Sequence, residues 1–234
     1  MKNAVISGGS QGIGKAIAEK LLGEGFNIAI CARNKEELSA LETLWKGKYP
    51  ERQIICFKAD MSIQAEVEAF AKSVLGAFGP IDILVNNAGI FMPGLIAEEA
   101  DGQLEHLMAV NLYSAYYLSR AFMPAMKARK AGHIFNMCSV ASLKAYPNGG
   151  SYGISKYALL GFSDNLREEL KSYDIKVTAI SPGATASRSW DGSGVAAERL
   201  MEARDLADML YASYILSAKA NVEHIVMRPQ QGDI

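Results

Sequence analysis

Residues 3–14, Asn3-Ala4-Val5-Ile6-Ser7-Gly8-Gly9-Ser10-Gln11-Gly12-Ile13-Gly14, decide the fold. The first five read as a short buried strand, and the glycine-rich turn after them runs straight into a helical pattern that continues to about Leu22. Strand, turn and helix in that order make a phosphate cradle. Glycines permit a tight turn and close backbone approach, while a helix N-terminus offers unpaired N–H groups and the positive end of its dipole. The spacing is Gly-x-x-x-Gly-x-Gly, not the commoner Gly-x-Gly-x-x-Gly.

Outward from this turn, short apolar runs alternate with helical patterns, as parallel βα units with right-handed crossovers do. Strands are expected near residues 3 to 7, 27 to 31, 53 to 58, 81 to 85, 133 to 138, 175 to 180 and 223 to 227, with helices between them. Asn34 and Glu37 read as a cap and its reciprocal partner at the start of the second helix, and Ser62 as a cap for the third. No repeat, low-complexity tract or linker divides residues 1–234, so one domain is expected, and a chain that is 50% hydrophobic can fill its core.

Composition sets limits on function. A net charge of -1 gives no global field toward nucleic acid or an anionic membrane. No apolar stretch approaches the ~18 residues of a membrane span. Cys31, Cys56 and Cys138 are odd in number and lack Cys-x-x-Cys spacing, so they read as buried thiols of a reducing compartment, and a cytoplasmic protein is expected. His106, His133 and His224 are scattered without ligand spacing, which argues against a metal site. Ser139 lacks the His base and the Gly-x-Ser-x-Gly elbow of a hydrolase nucleophile.

A second constellation lies downstream. Tyr152 and Lys156 stand four apart on a helical pattern and so share a face, and Ser139 closes the apolar run His133–Cys138. A phenol titrates near ~10, and an adjacent ammonium is expected to lower it toward neutrality, making a usable acid and base.

Taken in order, these segments resemble the short-chain dehydrogenase/reductases over nearly the whole chain, with members of the 3-oxoacyl-carrier-protein reductase and sepiapterin reductase kinds as the points of likeness. Ser7-Gly8-x-x-x-Gly12-Ile13-Gly14 is similar to the family's cofactor turn, with Ser where Thr is usual. Asn86-Asn87-Ala88-Gly89 follows the strand Ile81–Val85 as in the family. Asn111, Ser139, Tyr152 and Lys156 fall where the family has its catalytic tetrad, and Pro182-Gly183 where the chain turns toward the nicotinamide.

The resemblance implies a single-domain Rossmann-type, doubly wound parallel α/β sheet of strand order 3-2-1-4-5-6-7, with ligands at the strands' carboxyl ends. It implies hydride transfer between a nicotinamide dinucleotide and a small-molecule carbonyl or secondary alcohol. Tyr152 would give or take the proton. Lys156 would lower the phenol pKa and hold the nicotinamide ribose, and Ser139 would bond the substrate oxygen. Asn111, in a long helix after about Ala100, would anchor a proton-resupply water chain. Cofactor contacts would come from Gly8, Ser10, Gln11, Gly12, Ile13, Gly14, Asn87, Ala88, Gly89, Tyr152, Lys156, Pro182, Gly183 and Thr185, with Asp60 on the adenine amino group or serving as a helix cap.

One position speaks to cofactor choice. An NAD site wants an acid at the end of the second strand, but here Asn27–Ala32 ends without one and Arg33 follows. A guanidinium suits a 2′-phosphate, so NADP(H) is expected over NAD(H), with Lys15 and Lys35 as alternative cations.

The substrate end departs from the family pattern. In Ala184-Thr185-Ala186-Ser187 the family more often has a β-branched apolar residue at 185 and Thr at 187, and Arg188–Gly194 reads as a short substrate lid within about 184–200. Ile90–Pro93, Leu143–Pro147 and Trp190 are expected to line an apolar pocket whose only nearby charges are Lys144 and Arg188. Leu107, Leu118, Phe122, Leu159, Phe162 and Leu166 read as outward-facing apolar residues on the helices that carry Asn111 and Tyr152, so a homodimer or homotetramer is expected. Lys127, Arg129 and Lys130 either satisfy a helix dipole or dock an acidic carrier protein, which leaves a carrier-bound substrate open. Two other readings stand beside the oxidoreductase: a non-catalytic dinucleotide-binding regulator, and epimerase or lyase chemistry on a retained cofactor.

Overall fold

The computed structural model describes residues 1–190, 192 and 194–233. Seven strands, β1 (Asn3–Ser7), β2 (Asn27–Ala32), β3 (Ile54–Lys58), β4 (Ile83–Asn86), β5 (Gly132–Met137), β6 (Ile175–Pro182) and β7 (His224–Met227), form one parallel sheet in the order β3-β2-β1-β4-β5-β6-β7. The central strands are buried on both faces because alternate residues serve two cores. Ala4, Ile6, Ile83 and Val85 pack with α1 (Gly12–Gly23), α2 (Lys35–Lys48) and α7 (Ala203–Tyr214). Val5 and Leu84 pack with α3 (Gln64–Phe78), α5 (Ser114–Arg129) and α6 (Gly150–Leu170). Each fully buried side chain such as Trp45 or Phe122 contributes roughly 1.5–3 kcal/mol.

Local chemistry sets the helix starts, with two departures from expectation. Asn34 Oδ1 accepts the Glu36 and Glu37 N–H groups at 3.0 and 3.1 Å, so the cap forms. The Glu37 carboxylate does not return to Asn34, because Ser10 and Arg188 take it instead. Ser62 caps nothing. Its N–H and hydroxyl both donate to Asp60 Oδ1, at 2.9 and 2.7 Å, and α3 starts from Ile63 without a side-chain cap. The carboxylate, a better acceptor than a hydroxyl, folds this turn back on itself.

The long helix expected after Ala100 is broken. It runs as α4 (Gln103–Met108), a wide π-turn over Ala109–Tyr113, and then α5. Such a bulge swings a side chain out of the regular ladder, and the residue displaced here is Asn111.

The residues read as outward-facing are not. Leu107, Leu118, Phe122, Leu159 and Leu166 are all buried, and Phe162 is half-buried, because α5 and α6 press a broad face onto the sheet and onto each other. The tyrosines exposed here are Tyr113 (45%), Tyr116 (39%) and Tyr157 (45%), and Tyr113 and Tyr116 with Leu112, Tyr117, Ala158 and Phe162 surround a shallow aromatic groove. Lys127 pairs with Glu169 at 2.6 Å, and Arg129 pairs with Asp82 and donates to the Ile81 carbonyl at 2.7 Å. Arg129 therefore sits by the amino end of β4, and Lys127 by the C-terminal end of α6, both away from the carboxyl ends where ligands are expected. Among the described residues, no helix is long and apolar enough to cross a membrane.

Candidate active site

β1 and β4 are neighbours, yet the helices that follow them pack on opposite faces of the sheet. Their carboxyl ends therefore part, and a cleft of about 1500 Å³ opens there. The glycine turn floors one end of it. Gly8 and Gly12 hold φ of +66° and +51°, and a Cβ on Gly14 would lie 2.3 Å from the Gly8 carbonyl oxygen and 2.5 Å from Asn87 Nδ2. Ser7 Oγ accepts from the Asn87 and Ala88 N–H groups, both at 3.0 Å, and Asn87 Nδ2 donates to the Ser7 and Gly8 carbonyls, so β4 locks the turn in place. Gln11 gives α1 no side-chain cap, which leaves the first-turn N–H groups of Gly12 and Ile13 at the cleft wall without side-chain partners. Bare glycines and orphan donors fit a dinucleotide pyrophosphate.

Beyond the turn, Arg33, Asn34, Asp60 and Met61 line the cleft. Among the described residues, no carboxylate lies within ion-pair distance of Arg33, an exposed cation free to meet a phosphate. Burial pulls the Asp60 carboxyl upward, but the bonds from Ser62 and the Arg33 charge outweigh it, so Asp60 lies below the ordinary range. Asp60 thus closes its own turn and still faces the cleft. Lys15 pairs loosely with Glu19 and does not line it.

The other end gathers the second constellation. Ser139 ends the β5 segment and caps a short 3-10 turn, with Ala141 N–H donating to its Oγ at 3.1 Å and Ser142 Oγ accepting from its N–H at 3.1 Å. An oxygen held by an incoming N–H keeps its own hydrogen for donation into the cleft. Tyr152 lies in the first turn of α6, its ring meeting the edge of Phe91 at 4.8 Å. Burial pushes the Tyr152 phenol above its ordinary range, and its hydrogen bond with Ser139 pulls it partway back. Lys156 is buried to 5% exposure and donates to the Met137 carbonyl at 2.9 Å. Burial brings its ammonium from 10.5 down to about 8. The expected lowering of the phenol by Lys156 is therefore absent: the ammonium lies 5.9 Å from the ring centre, and desolvation dominates both groups.

Asn111 spends its amide within the protein. Its Oδ1 accepts from Ile90 N–H at 2.8 Å, and its Nδ2 donates to the Ile90 carbonyl at 3.1 Å and to Ser155 Oγ at 2.9 Å. It ties Ile90, next after the Asn86–Gly89 loop, to α6, and a Cβ on Gly89 would come 3.3 Å from Asn111 Oδ1 and 3.4 Å from Lys156 Nζ.

The expected substrate wall is partly present. Ile90, Phe91, Lys144, Ala145, Tyr146, Pro147 and Trp190 line the cleft, whereas Met92, Pro93 and Leu143 do not. Pro182, Gly183, Ala184, Thr185 and Ser187 also line it, and Thr185 Oγ1 donates to the Gly183 carbonyl at 3.0 Å. The segment read as a lid crosses to α2, because Arg188 pairs with Glu37 at 2.9 Å and so sits by the glycine turn, not by the substrate wall. Asp191 and Ser193, within that segment, lie outside the described residues.

Several contributors escaped the sequence reading. Glu99 accepts from both the N–H (2.8 Å) and the hydroxyl of Ser151, capping α6 next to Tyr152 from 52 positions away. Arg228 and Asp233 pair at the cleft edge. Nothing in the local pattern marks these long-range partners. Of the three thiols expected to be buried, Cys31 and Cys138 are and Cys56 is only half-buried; burial pushes Cys31 and Cys56 up to about 12 and Cys138 to about 11.

Comparison with known proteins gives a consistent account. The family model described as short chain dehydrogenase matches residues 2–194. A diacetyl reductase, (S)-acetoin forming, from Staphylococcus epidermidis is 31% identical over 90% of this chain and 82% of its own length. A metagenomic short-chain oxidoreductase solved in complex with NADP is 33% identical, with a TM-score of 0.85 over 98% of this chain and 97% of that one. An alcohol dehydrogenase from the archaeon Thermococcus sibiricus, complexed with 5-hydroxy-NADP, is 27% identical with a TM-score of 0.91, over 98% and 97% of the two chains.

Proposed function

The chain belongs to the short-chain dehydrogenase/reductase family of oxidoreductases, and on that premise we propose that it is an NADP(H)-dependent enzyme interconverting a carbonyl and a secondary alcohol. The observation that carries this reading is the cleft itself. A side-chain-free phosphate cradle at one end and Ser139, Tyr152 and Lys156 at the other share one continuous wall. Similar proteins solved with NADP and 5-hydroxy-NADP support the cofactor, as does Arg33 in place of an acid.

When bound, the reduced dinucleotide supplies the hydride; the chain's residues do the rest. Gly8, Gly12, Ile13 and Gly14 would hold the pyrophosphate, Arg33 the 2′-phosphate and Asp60 the adenine amino group. Ser139 donates its hydroxyl hydrogen to the substrate oxygen once substrate is bound, where negative charge grows during reduction. The Tyr152 phenol delivers the proton to that oxygen, and in alcohol oxidation its phenolate removes one. Because burial keeps the phenol protonated, the ligand-free site is poised for reduction, and oxidation gains rate as pH rises. Lys156, fixed by Met137, would hold the nicotinamide ribose. Asn111 keeps the Ile90 loop and α6 in register, a structural task performed beside any part in proton resupply.

The wall of Ile90, Phe91, Ala145, Tyr146, Pro147 and Trp190 favours a substrate with an apolar body beside the carbonyl. Lys127, Arg129 and Lys130 are poorly placed to present a carrier-bound one. The test is a panel of ketones, diketones and alcohols followed by NADPH absorbance. Turnover of apolar-flanked carbonyls is expected, and cofactor binding without turnover of any of them would favour a non-catalytic module.

A further inference from the structure

Glu37 holds two donors that both line the cofactor end of the cleft. Its Oε2 accepts from Ser10 Oγ at 3.1 Å, and its two oxygens take Arg188 Nη2 at 2.9 and 3.0 Å. Ser10 belongs to the glycine turn, Glu37 to the first turn of α2, and Arg188 to the segment crossing over from β6. Arg33 and Asn34 line the same end. The crossing segment also presses on the turn, since a Cβ on Gly12 would stand 3.3 Å from Ser187 Cβ. A hydroxyl and a guanidinium thus meet on one carboxylate, at the end of the cleft that the free Arg33 also lines.

Resting on the reading of the cleft as an NADP(H) site, we infer that Glu37 is a resident anion competing with the cofactor's 2′-phosphate, and that Arg188 is the specificity-determining cation that offsets it. The pair is a weak tether. Arg188 and Glu37 side chains are 55% and 31% exposed, and exposed ion pairs add little to stability. It is correspondingly easy to exchange. A phosphate near Arg33 carries more charge than the carboxylate and offers Arg188 and Ser10 a better acceptor. With Arg188 absent, Glu37 would repel the phosphate in the way that an acid at this end of an NAD site does. Acceptance of NADP(H) is therefore conditional on the 184–190 segment lying closed over the turn.

The experiment is a binding matrix. Dissociation constants for NADPH and NADH are measured by nucleotide fluorescence on the wild-type protein, Arg188→Ala, Glu37→Gln and the double variant, without substrate. Arg188→Ala is expected to weaken NADPH about tenfold to a hundredfold and NADH far less. Glu37→Gln is expected to shift preference further toward NADPH, and in the Arg188→Ala background to restore most of the lost NADPH affinity. A cover that merely closes the site would not yield that rescue. Equal weakening of both nucleotides by Arg188→Ala, or no rescue in the double variant, overturns the inference while leaving the cofactor reading intact. A wild-type preference for NADH would overturn both.

Discussion

Lys156 Nζ donates to the Met137 carbonyl at 2.9 Å, joining the buried middle of α6 to the last residue of β5. This bond places the ammonium beneath the candidate site and holds it in a desolvated position, where its affinity for a proton falls to about 8.

That depression makes stability depend on pH. Below about 8 the folded protein carries a buried charge that the unfolded chain keeps in water, so Lys156 opposes folding at full strength. Between about 8 and 10.5 the folded form sheds its proton first and the opposition fades. Lys156→Met should thus be more stable than wild type at pH 7 by roughly 3 kcal/mol at most, with the gap closing toward pH 10.5. Urea melts of both proteins across this range check it, and a gap that stays constant with pH would speak against a charged, buried Lys156.

Cofactor choice should follow Arg33. Arg33→Ala is expected to cost NADPH binding about 1.5–3 kcal/mol and to leave NADH almost untouched. Calorimetric titration with each nucleotide decides the matter, because equal losses would remove Arg33 from the 2′-phosphate.

Gly150 is bare because Glu99 passes over it. A Cβ there would lie 2.2 Å from Glu99 Oε1 and 2.6 Å from the Gly94 carbonyl, at a φ of +39°. Gly150→Ala should lose roughly 1–3 kcal/mol of stability and displace the first turn of α6, lowering kcat more than NADPH affinity. Thermal melts and steady-state kinetics test this, and a variant of wild-type stability and turnover would contradict it.

The family's self-association should use the exposed tyrosines and not the leucines first read as outward. Tyr116→Glu, in the groove with Tyr113 and Tyr117, is expected to dissociate a dimer or tetramer into 25.3 kDa chains. Light scattering at micromolar concentration reads the result directly, and a wild-type monomer would remove this interface from the account.

What the sequence made legible follows a physical division. Strand runs such as Asn27–Ala32, the Gly8–Gly14 turn and the Asn34 cap are local patterns that can be read without knowing the neighbours. The sheet order followed from the resemblance those patterns carried. Partners far apart in the chain were hidden. Glu37 looked like half of a capping box because its link to Arg188 spans 151 positions, and Glu99 gave no hint that it caps the helix of Tyr152. The phenol was expected to be lowered because i and i+4 place an ammonium nearby. Burial, a property of the packed molecule, reversed the direction. Leu118 and Phe122 were misplaced for a related reason: helical spacing locates an apolar face but not how wide a surface will cover it.

The central claim is that Tyr152 moves the proton while the glycine turn holds the cofactor. Single-turnover consumption of NADPH by Tyr152→Phe, on the best carbonyl substrate found, measures it most directly when NADPH affinity is measured on the same sample. The account predicts a fall of about a hundredfold or more in rate with affinity changed by less than about threefold. Retention of more than about a tenth of the wild-type rate, with cofactor still bound, would contradict it.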